Sequence, residues 1–134
     1  MTSNNSPQSY HKGRVGLLGT KYLISAANMD RAVEFYRDVI GLDVQVFTPY
    51  WSELTHGTAT VALHGGGDGS YAETGLSFTV KDIFEACPAI IKGGGSVRSE
   101  PEDRGDEGIY LAFVTDTENN GIMISQVKNS KLET

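Results

Sequence analysis

The sequence repeats its own plan about 54 residues later. A strand-like run at residues 21–26 is matched by residues 75–80, and a helical pattern of apolar residues follows each run. In the two helical patterns, Met29, Ala32, Val33 and Tyr36 fall on Ile83, Ala86, Cys87 and Ile90. Both patterns end in glycine, at residue 41 and at residues 93–95. Two copies of one unit that face each other enclose a cavity, so the repeat predicts where a binding site lies.

Hydrophobic periodicity and turn residues predict the order strand, helix, three strands in each copy. In the first copy we expect strands at residues 21–25, 42–47, 51–54 and 58–64, and a helix that runs from an Asn28 cap to Ile40. In the second copy we expect strands from residue 74 and at 96–99, 109–115 and 121–127. Its helix has Asp82 in capping position and is bent or shortened by Pro88. Residues 100–108 are rich in charged residues, proline and glycine, and we expect a solvated loop there.

This pattern divides the chain into one domain with two short tails. We expect a flexible tail at residues 1–14, a single domain at 15–128 and a second tail at 129–134. Within the domain, module one covers residues 15–65, a glycine-rich linker covers 66–73 and module two covers 74–128.

Composition narrows the classes of function. A net charge of -6 over 134 residues argues against a nucleic-acid binder, which normally carries a basic face. The sequence has no apolar run of membrane-spanning length, and its first fourteen residues are polar, so we expect no membrane partner and a cytoplasmic location. The one cysteine, Cys87, lies at an apolar helical position and is interpreted as a buried structural thiol.

Several motifs, taken in order, resemble the vicinal oxygen chelate superfamily, which includes glyoxalase I, extradiol dioxygenases and bleomycin-resistance proteins. Residues 29–36 (MDRAVEFY) with residues 40–42 (IGL) are similar to the family pattern D-L-x-x-A/S-x-x-F-Y-x-x-x-L-G-L. Residues 51–54, 61–64, 76–80 and 111–116 add support, and the turn up to residue 121 resembles the family's F-x-D-P-x-G-N, with Thr117 in place of proline. The resemblance implies an α+β fold in which two βαβββ modules curl into a cup. It also implies a homodimer in which module edges complete a shared cup.

The resemblance also indicates which positions would bind a metal. The family's metalloenzymes take four ligands, usually His and Glu, from the first and fourth strands of each module. By position these ligands fall on Lys21, Ala62, Gly75 and Met123. Protonated lysine has no free lone pair, alanine and glycine have no side-chain donor atom, and the methionine thioether prefers soft metals. We therefore expect no metal and no cofactor, and neither glyoxalase nor dioxygenase activity by the metal mechanism.

Other residues are candidates to line the cup. His64 shares a strand face with position 62, and Trp51 and Glu53 share one face of the preceding strand. Trp51 offers a stacking surface, Glu53 an anion, His64 a titratable group and Lys21 an anchor for an anion or a nucleophilic amine. The remaining candidates, on strands of module two, are Ser77, Tyr110 and Met123. The competing interpretation is that these side chains are ordinary core or strand-end residues.

Three functions follow as hypotheses. The first is a metal-independent small-molecule binding protein of the drug-sequestering or effector-binding type, with its ligand in the cup. The second is a lyase or isomerase that uses a non-inherited base, His64 or Glu53. The third is a mainly structural partner in an assembly. The sequence does not name the ligand, because this fold hosts many functions.

Overall fold

A computed structural model describes residues 13–128. The two predicted tails, at residues 1–14 and 129–134, lie outside this range except for residues 13 and 14. Module one consists of β1 (Tyr22–Ala26), α1 (Met29–Glu34) with a π-helical extension (Phe35–Ile40), β2 (Asp43–Phe47), β3 (Trp51–His56) and β4 (Ala59–Gly65). Module two consists of β5 (Ala72–Thr79), α2 (Ile83–Lys92), β6 (Ser96–Asp103), a short 3₁₀ turn (Gly105–Glu107), β7 (Ile109–Thr115) and β8 (Asn120–Val127). The predicted α+β class and the two βαβββ modules are confirmed.

Each module forms a four-stranded mixed sheet with the same strand order. The orders are β1-β4-β3-β2 and β5-β8-β7-β6, so the first strand of each module pairs with the fourth. That pairing is parallel in both modules, and the other pairings are antiparallel. The strand after each helix, β2 or β6, lies at one edge of its sheet, and β1 or β5 lies at the other edge. Residues of β1 and β5 line a common groove.

The helices begin and end where the sequence predicts. The side chain of Asn28 accepts a hydrogen bond from the amide of Arg31, and Asp82 accepts from the amides of Phe84 and Glu85. Gly41 ends the first helix with φ of 102°, a left-handed conformation that glycine adopts without steric cost. Pro88 lies within α2, which nevertheless continues to Lys92.

One predicted loop is a strand. β6 continues to Asp103, although we expected a solvated loop from residue 100 onwards. Pro101 is compatible with this strand because β6 is an edge strand, where a missing amide donor leaves no ladder bond unmade. The pairing of β6 with β7 is also interrupted twice, between Val97 and Ser99 and between Ser99 and Glu102.

Both sheets bury one face against the two helices. The buried residues of both modules form one continuous cluster, in which Phe35, Tyr36, Leu54, Leu63, Ile83 and Ile122 are the largest fully buried apolar and aromatic side chains of the described chain, with Ile124 and Val114. Cys87 lies in this cluster, and burial raises the pKa of its thiol, which makes the thiol less reactive. Since the helix-side faces share one core, the opposite faces of the two sheets lie together on the other side of the molecule.

Candidate functional site

The cup surface is defined here as the face of both sheets that points away from the helices. Its module-one half carries Lys21, Leu23, Trp51, Glu53 and His64; its module-two half carries Ser77, Phe113 and Met123. Strand pairing places these residues, because partners in register share a face. The halves adjoin at a groove lined by residues 21–25 of the first strand, residues 72–74 of the fifth and Asn120.

Glu53 is the centre of the module-one half. Its Oε2 atom accepts a 2.7 Å hydrogen bond from Nζ of Lys21 and another of 2.7 Å from Nε1 of Trp51. These two hydrogen bonds lower the pKa of Glu53, more than its partial burial raises it. The carboxylate is therefore ionised at neutral pH and fixed in orientation.

Trp51 is held by neighbours on both sides. His64 is its partner across the β3–β4 pairing, and the two rings meet edge to face with centroids 6.1 Å apart. Nζ of Lys21 lies 6.0 Å from the centroid of the Trp51 ring. Four of the seven predicted site residues, Lys21, Trp51, Glu53 and His64, thus form one contiguous cluster, and the register that the sequence left open is now defined.

The module-two half contains a hollow of about 290 Å³. Ser77 and Met123 are partners in the β5–β8 pairing, and Phe113 is the partner of Met123 on the other side. Met123, Phe113, Tyr71 and Glu73 line the hollow together with the backbone at glycines 75 and 121. The guanidinium carbon of Arg98 lies 3.9 Å from the centroid of the Tyr71 ring, which it covers as a cation–π contact.

Tyr110 does not belong to this surface. It pairs with Gln126 and so lies on the same face as Ala112 and Ile124, against the helices. Its ring packs edge-on against Phe84 of the second helix, with centroids 5.1 Å apart. The prediction assigned Tyr110 to the cavity without its strand register, and one residue of displacement along a strand reverses the face.

Four residues of the cup surface were missed in the sequence: Leu23, Phe113, Tyr71 and Arg98. Leu23 stands between Lys21 and Ser25, so strand alternation alone places it on the same face as Lys21. It is 54% exposed, and Phe113 is 40% exposed, which is high for large apolar residues of a sheet. No sequence signal identified Arg98, because its contact with Tyr71 depends on how the edge strand bends.

The inherited metal positions do not provide a ligand set. The ammonium of Lys21 is bound to Glu53, while Ala62 and Gly75 offer no donor atom, so only the Met123 thioether remains. Within residues 13–128, no three His, Cys, Asp or Glu residues are grouped as a metal site requires. The residues present therefore do not fit the family's metal.

A buried hydrogen-bond network joins the two modules behind the cup. Oε1 of Glu118 accepts from the amides of Ala27 (2.9 Å) and Asn28 (2.8 Å), and Oε2 accepts from Nε of Arg31 at 2.8 Å. Burial opposes the charge, but Arg31, the hydroxyl of Thr117 and the amide of Asn28 together lower the pKa of Glu118. Asn120 donates to the carbonyl of Ser25 at 2.8 Å. The network fixes the first helix and strand of module one against module two.

The comparisons with known proteins identify relatives. The family model for the Glyoxalase/Bleomycin resistance protein/Dioxygenase superfamily matches residues 20–124. No curated protein matches the sequence significantly. A glyoxalase/bleomycin resistance protein/dioxygenase family enzyme from Burkholderia phytofirmans PsJN is 18% identical, with a TM-score of 0.67 over 80% of this chain and 96% of that chain.

Two further solved structures have the same fold. TnmS3, described as an antibiotic binding protein from Streptomyces sp. CB03234, is 20% identical, with a TM-score of 0.61 over 82% of this chain and 97% of that chain. A superfamily member from Sphaerobacter thermophilus DSM 20745 is also 20% identical, with a TM-score of 0.66 and the same coverage. At these identities the similarity concerns the fold alone. Separately, no helix within residues 13–128 has the length and apolar character of a membrane span.

Proposed function

The chain belongs to the Glyoxalase/Bleomycin resistance protein/Dioxygenase superfamily, and from that premise we propose that it binds a small organic molecule on its cup surface without the superfamily's metal. The Lys21–Glu53–Trp51 network carries this proposal. Two donors at 2.7 Å fix one carboxylate beside an indole ring, and the Lys21 side chain of this network is 56% exposed. Fixed polar groups beside apolar and aromatic surface are the usual composition of a ligand site.

The metal-free part of the proposal rests on charge and on donor atoms. Lys21 places an ammonium group where the family's first ligand would stand, and that ammonium already neutralises Glu53. A further cation at this position would be repelled by Lys21 and would find no donor on Ala62 or Gly75. Elemental analysis of the purified protein tests this part, and stoichiometric bound metal would overturn it.

The ligand class follows from the groups on the surface. Trp51 offers a ring for stacking, and Leu23, Phe113 and Met123 offer apolar and adaptable contacts. TnmS3, an antibiotic binding protein with the same fold, agrees with this class. We therefore propose a ligand with a planar aromatic part and a polar group that hydrogen-bonds near Glu53 or Lys21.

Tryptophan fluorescence gives a direct test, because Trp51 is the single tryptophan of the chain. Bleomycin, an anthraquinone and S-hexylglutathione are titrated separately while the Trp51 emission and the melting temperature are recorded. A compound that binds the native cup changes the emission and raises the melting temperature by mass action. If no compound changes either quantity, the result contradicts small-molecule binding and favours a structural role in an assembly.

The enzymatic alternative has less support from the geometry. The lowered pKa of Glu53 makes this carboxylate a weak base, so a lyase or isomerase would depend on His64. His64→Ala separates the two functions. Turnover of a substrate disappears if His64 is the base, whereas a wall residue affects only the affinity.

We also propose that two copies form a homodimer in which module edges complete a shared cup. On this surface Leu23 is 54% exposed and Phe113 is 40% exposed, and pairing would bury such apolar surface. Sedimentation equilibrium tests the stoichiometry, with Leu23→Ser and Phe113→Ser expected to weaken the dimer. A monomer at high concentration contradicts the pairing. The cytoplasmic location stays a prediction.

A further inference from the structure

We propose a second binding site, for an uncharged aromatic molecule that carries a hydroxyl group, on the helix side of the junction between the modules. A cavity of about 500 Å³ lies there. The first module contributes the end of its helix and the β3–β4 turn, and the second contributes the end of β5 and one side of α2. Apart from Ser77, which borders it, none of the predicted cup residues lines this cavity.

The internal repeat explains why this space is open. At equivalent helix positions, the first module has Phe35 and Tyr36, whereas the second has Ala89 and Ile90. Phe35 and Tyr36 are 1% and 0% exposed, with ring centroids 5.2 Å apart, so they fill their side of the junction. Ala89 and Ile90 line the cavity instead. At these two positions, module two therefore has smaller side chains, with neither an aromatic ring nor a hydroxyl group.

The turns that follow the third strand of each module also differ in how far they fill the junction. In module two, the longer turn carries Asp116 and Glu118, which bind Tyr36 and the start of the first helix. In module one, only residues 57 and 58 separate β3 from β4, and His56 and Thr58 line the cavity rather than fill it. One end of the junction is thus closed by protein groups, and the equivalent end is open.

The lining determines the chemistry of the occupant. Among the described residues that form it, none is Asp, Glu, Lys or Arg, and most are aliphatic or aromatic. A charged group would lose its hydration without an ionic partner, which favours a neutral molecule. The phenol of Tyr22 and the imidazole of His56, whose strand positions face the helix side with Val61 and Ala59, provide hydrogen-bond partners for one polar group. The volume is within the range of small-molecule sites and suits two fused rings.

The probe 2-naphthol tests this site in the wild-type chain. Methyl-selective NMR follows Ile90 and Ile124, which line the cavity, and Leu23, which lies on the cup surface. We expect saturable shifts at Ile90 and Ile124, none at Leu23, and no change in the Trp51 emission. We expect 2-naphthoate, which has a carboxylate in place of the hydroxyl, to bind at least about tenfold more weakly.

Two variants place in module two the aromatic side chains that module one has at the equivalent positions. Ile90→Tyr and Ala89→Phe each fill the cavity, and we expect each to weaken 2-naphthol binding by at least about tenfold. Ile91→Tyr is the matched control, because Ile91 is on the same helix but is 54% exposed and does not line the cavity. Circular dichroism and melting curves show which variants fold. If Ile90→Tyr does not fold, the NMR result on the wild-type protein still tests the proposal.

Three results would overturn the proposal: 2-naphthol fails to bind, its shifts fall on Leu23, or the folded Ala89→Phe protein binds it like wild type. This test is independent of the test of the cup surface. If no ligand binds the cup, Ile90 and Ile124 still report on 2-naphthol, and if 2-naphthol does not bind, the Trp51 titration still reports on the cup.

Discussion

The phenol of Tyr36 donates a 2.5 Å hydrogen bond to the buried carboxylate of Asp116, across the boundary between the two modules. Asp116 is 2% exposed and also accepts from the amides of Glu118 and Asn120 and from the side chain of Asn120. Burial raises the pKa of Asp116, against the lowering effect of these hydrogen bonds. It raises the pKa of Tyr36 as well, so that the phenol remains the donor. The pair therefore connects the two modules through their common core.

Tyr36→Phe tests this connection. The substitution keeps the ring in the core but removes the donor, and hydrogen bonds to charged groups contribute about 1.5–3 kcal/mol. We expect the free energy of unfolding to fall by about 2 kcal/mol in urea titrations. Tyr50→Phe is the matched control, because Tyr50 is 80% exposed and the change should have little effect. Equal stabilities of the two variants would show that the hydrogen bond contributes nothing.

Glu118 makes stability depend on pH in a defined direction. Its folded pKa lies below the ordinary value of 4.5, so its contribution is present above that pH and is lost as the pH falls through the folded pKa. Asp116 has the opposite sign: its raised pKa favours folding below its ordinary value of 3.8 and partly offsets the loss. We expect Glu118→Gln to be less stable than wild type at neutral pH and to show a shallower decline on acidification.

Chemical unfolding at a series of pH values checks the Glu118 prediction. Glu107→Gln serves as control, because the Glu107 side chain is 56% exposed and pairs with Arg104 at the surface. A Glu118→Gln protein that declines as steeply as wild type would contradict the assigned pKa direction.

Lys21 is expected to control the ionisation of Glu53. Its hydrogen bond is the largest cause of the lowered pKa, so Lys21→Met should raise the pKa of Glu53 toward or above its ordinary value of 4.5. Because the indole of Trp51 donates to the same carboxylate oxygen, the NMR shift of its N–H proton reports the titration. Lys92→Met changes an exposed lysine far from the cup and should leave the midpoint unchanged. An unmoved midpoint in Lys21→Met would mean that the ion pair does not persist in solution.

Gly95 is predicted to be required for its small size. A Cβ atom there would lie 2.3 Å from the carbonyl oxygen of Thr115 and 2.8 Å from the Ile90 side chain. Backbone cannot move aside as a flexible side chain can, so Gly95→Ala should cost about 2 kcal/mol or more of unfolding free energy. Gly13→Ala, where nothing lies within 4 Å, is the control. Equal melting temperatures of the two variants would contradict the close approach.

Local signals predicted most of the fold. Asn28 and Asp82 both cap helices as expected, because capping depends on residues two or three positions away. Alternation along a strand correctly paired Trp51 with Glu53 on one face. The strand at residues 100–103 was missed, since Pro101 and charged neighbours are typical of loops and only its place at the sheet edge makes them compatible with pairing.

The candidate site was only partly predictable. Lys21 and Glu53 are 32 positions apart, and only strand pairing shows that they are in contact. Tyr110 was assigned to the cup because it is aromatic and follows the module pattern, but its register with Gln126 turns it toward α2. Such errors are expected, because a strand's register is fixed by its partners rather than by its own sequence.

The sequence by itself determined the two modules, their element order and the absence of ligand-type residues at Ala62 and Gly75. These depend on residue identity and on short spacings, which are read directly along the chain. Only the tertiary structure decided that Glu118 closes one end of the module junction while Ala89 and Ile90 leave the other end open. Glu118 meets Ala27 across 91 positions, and such a contact exists only after both modules have folded and packed together.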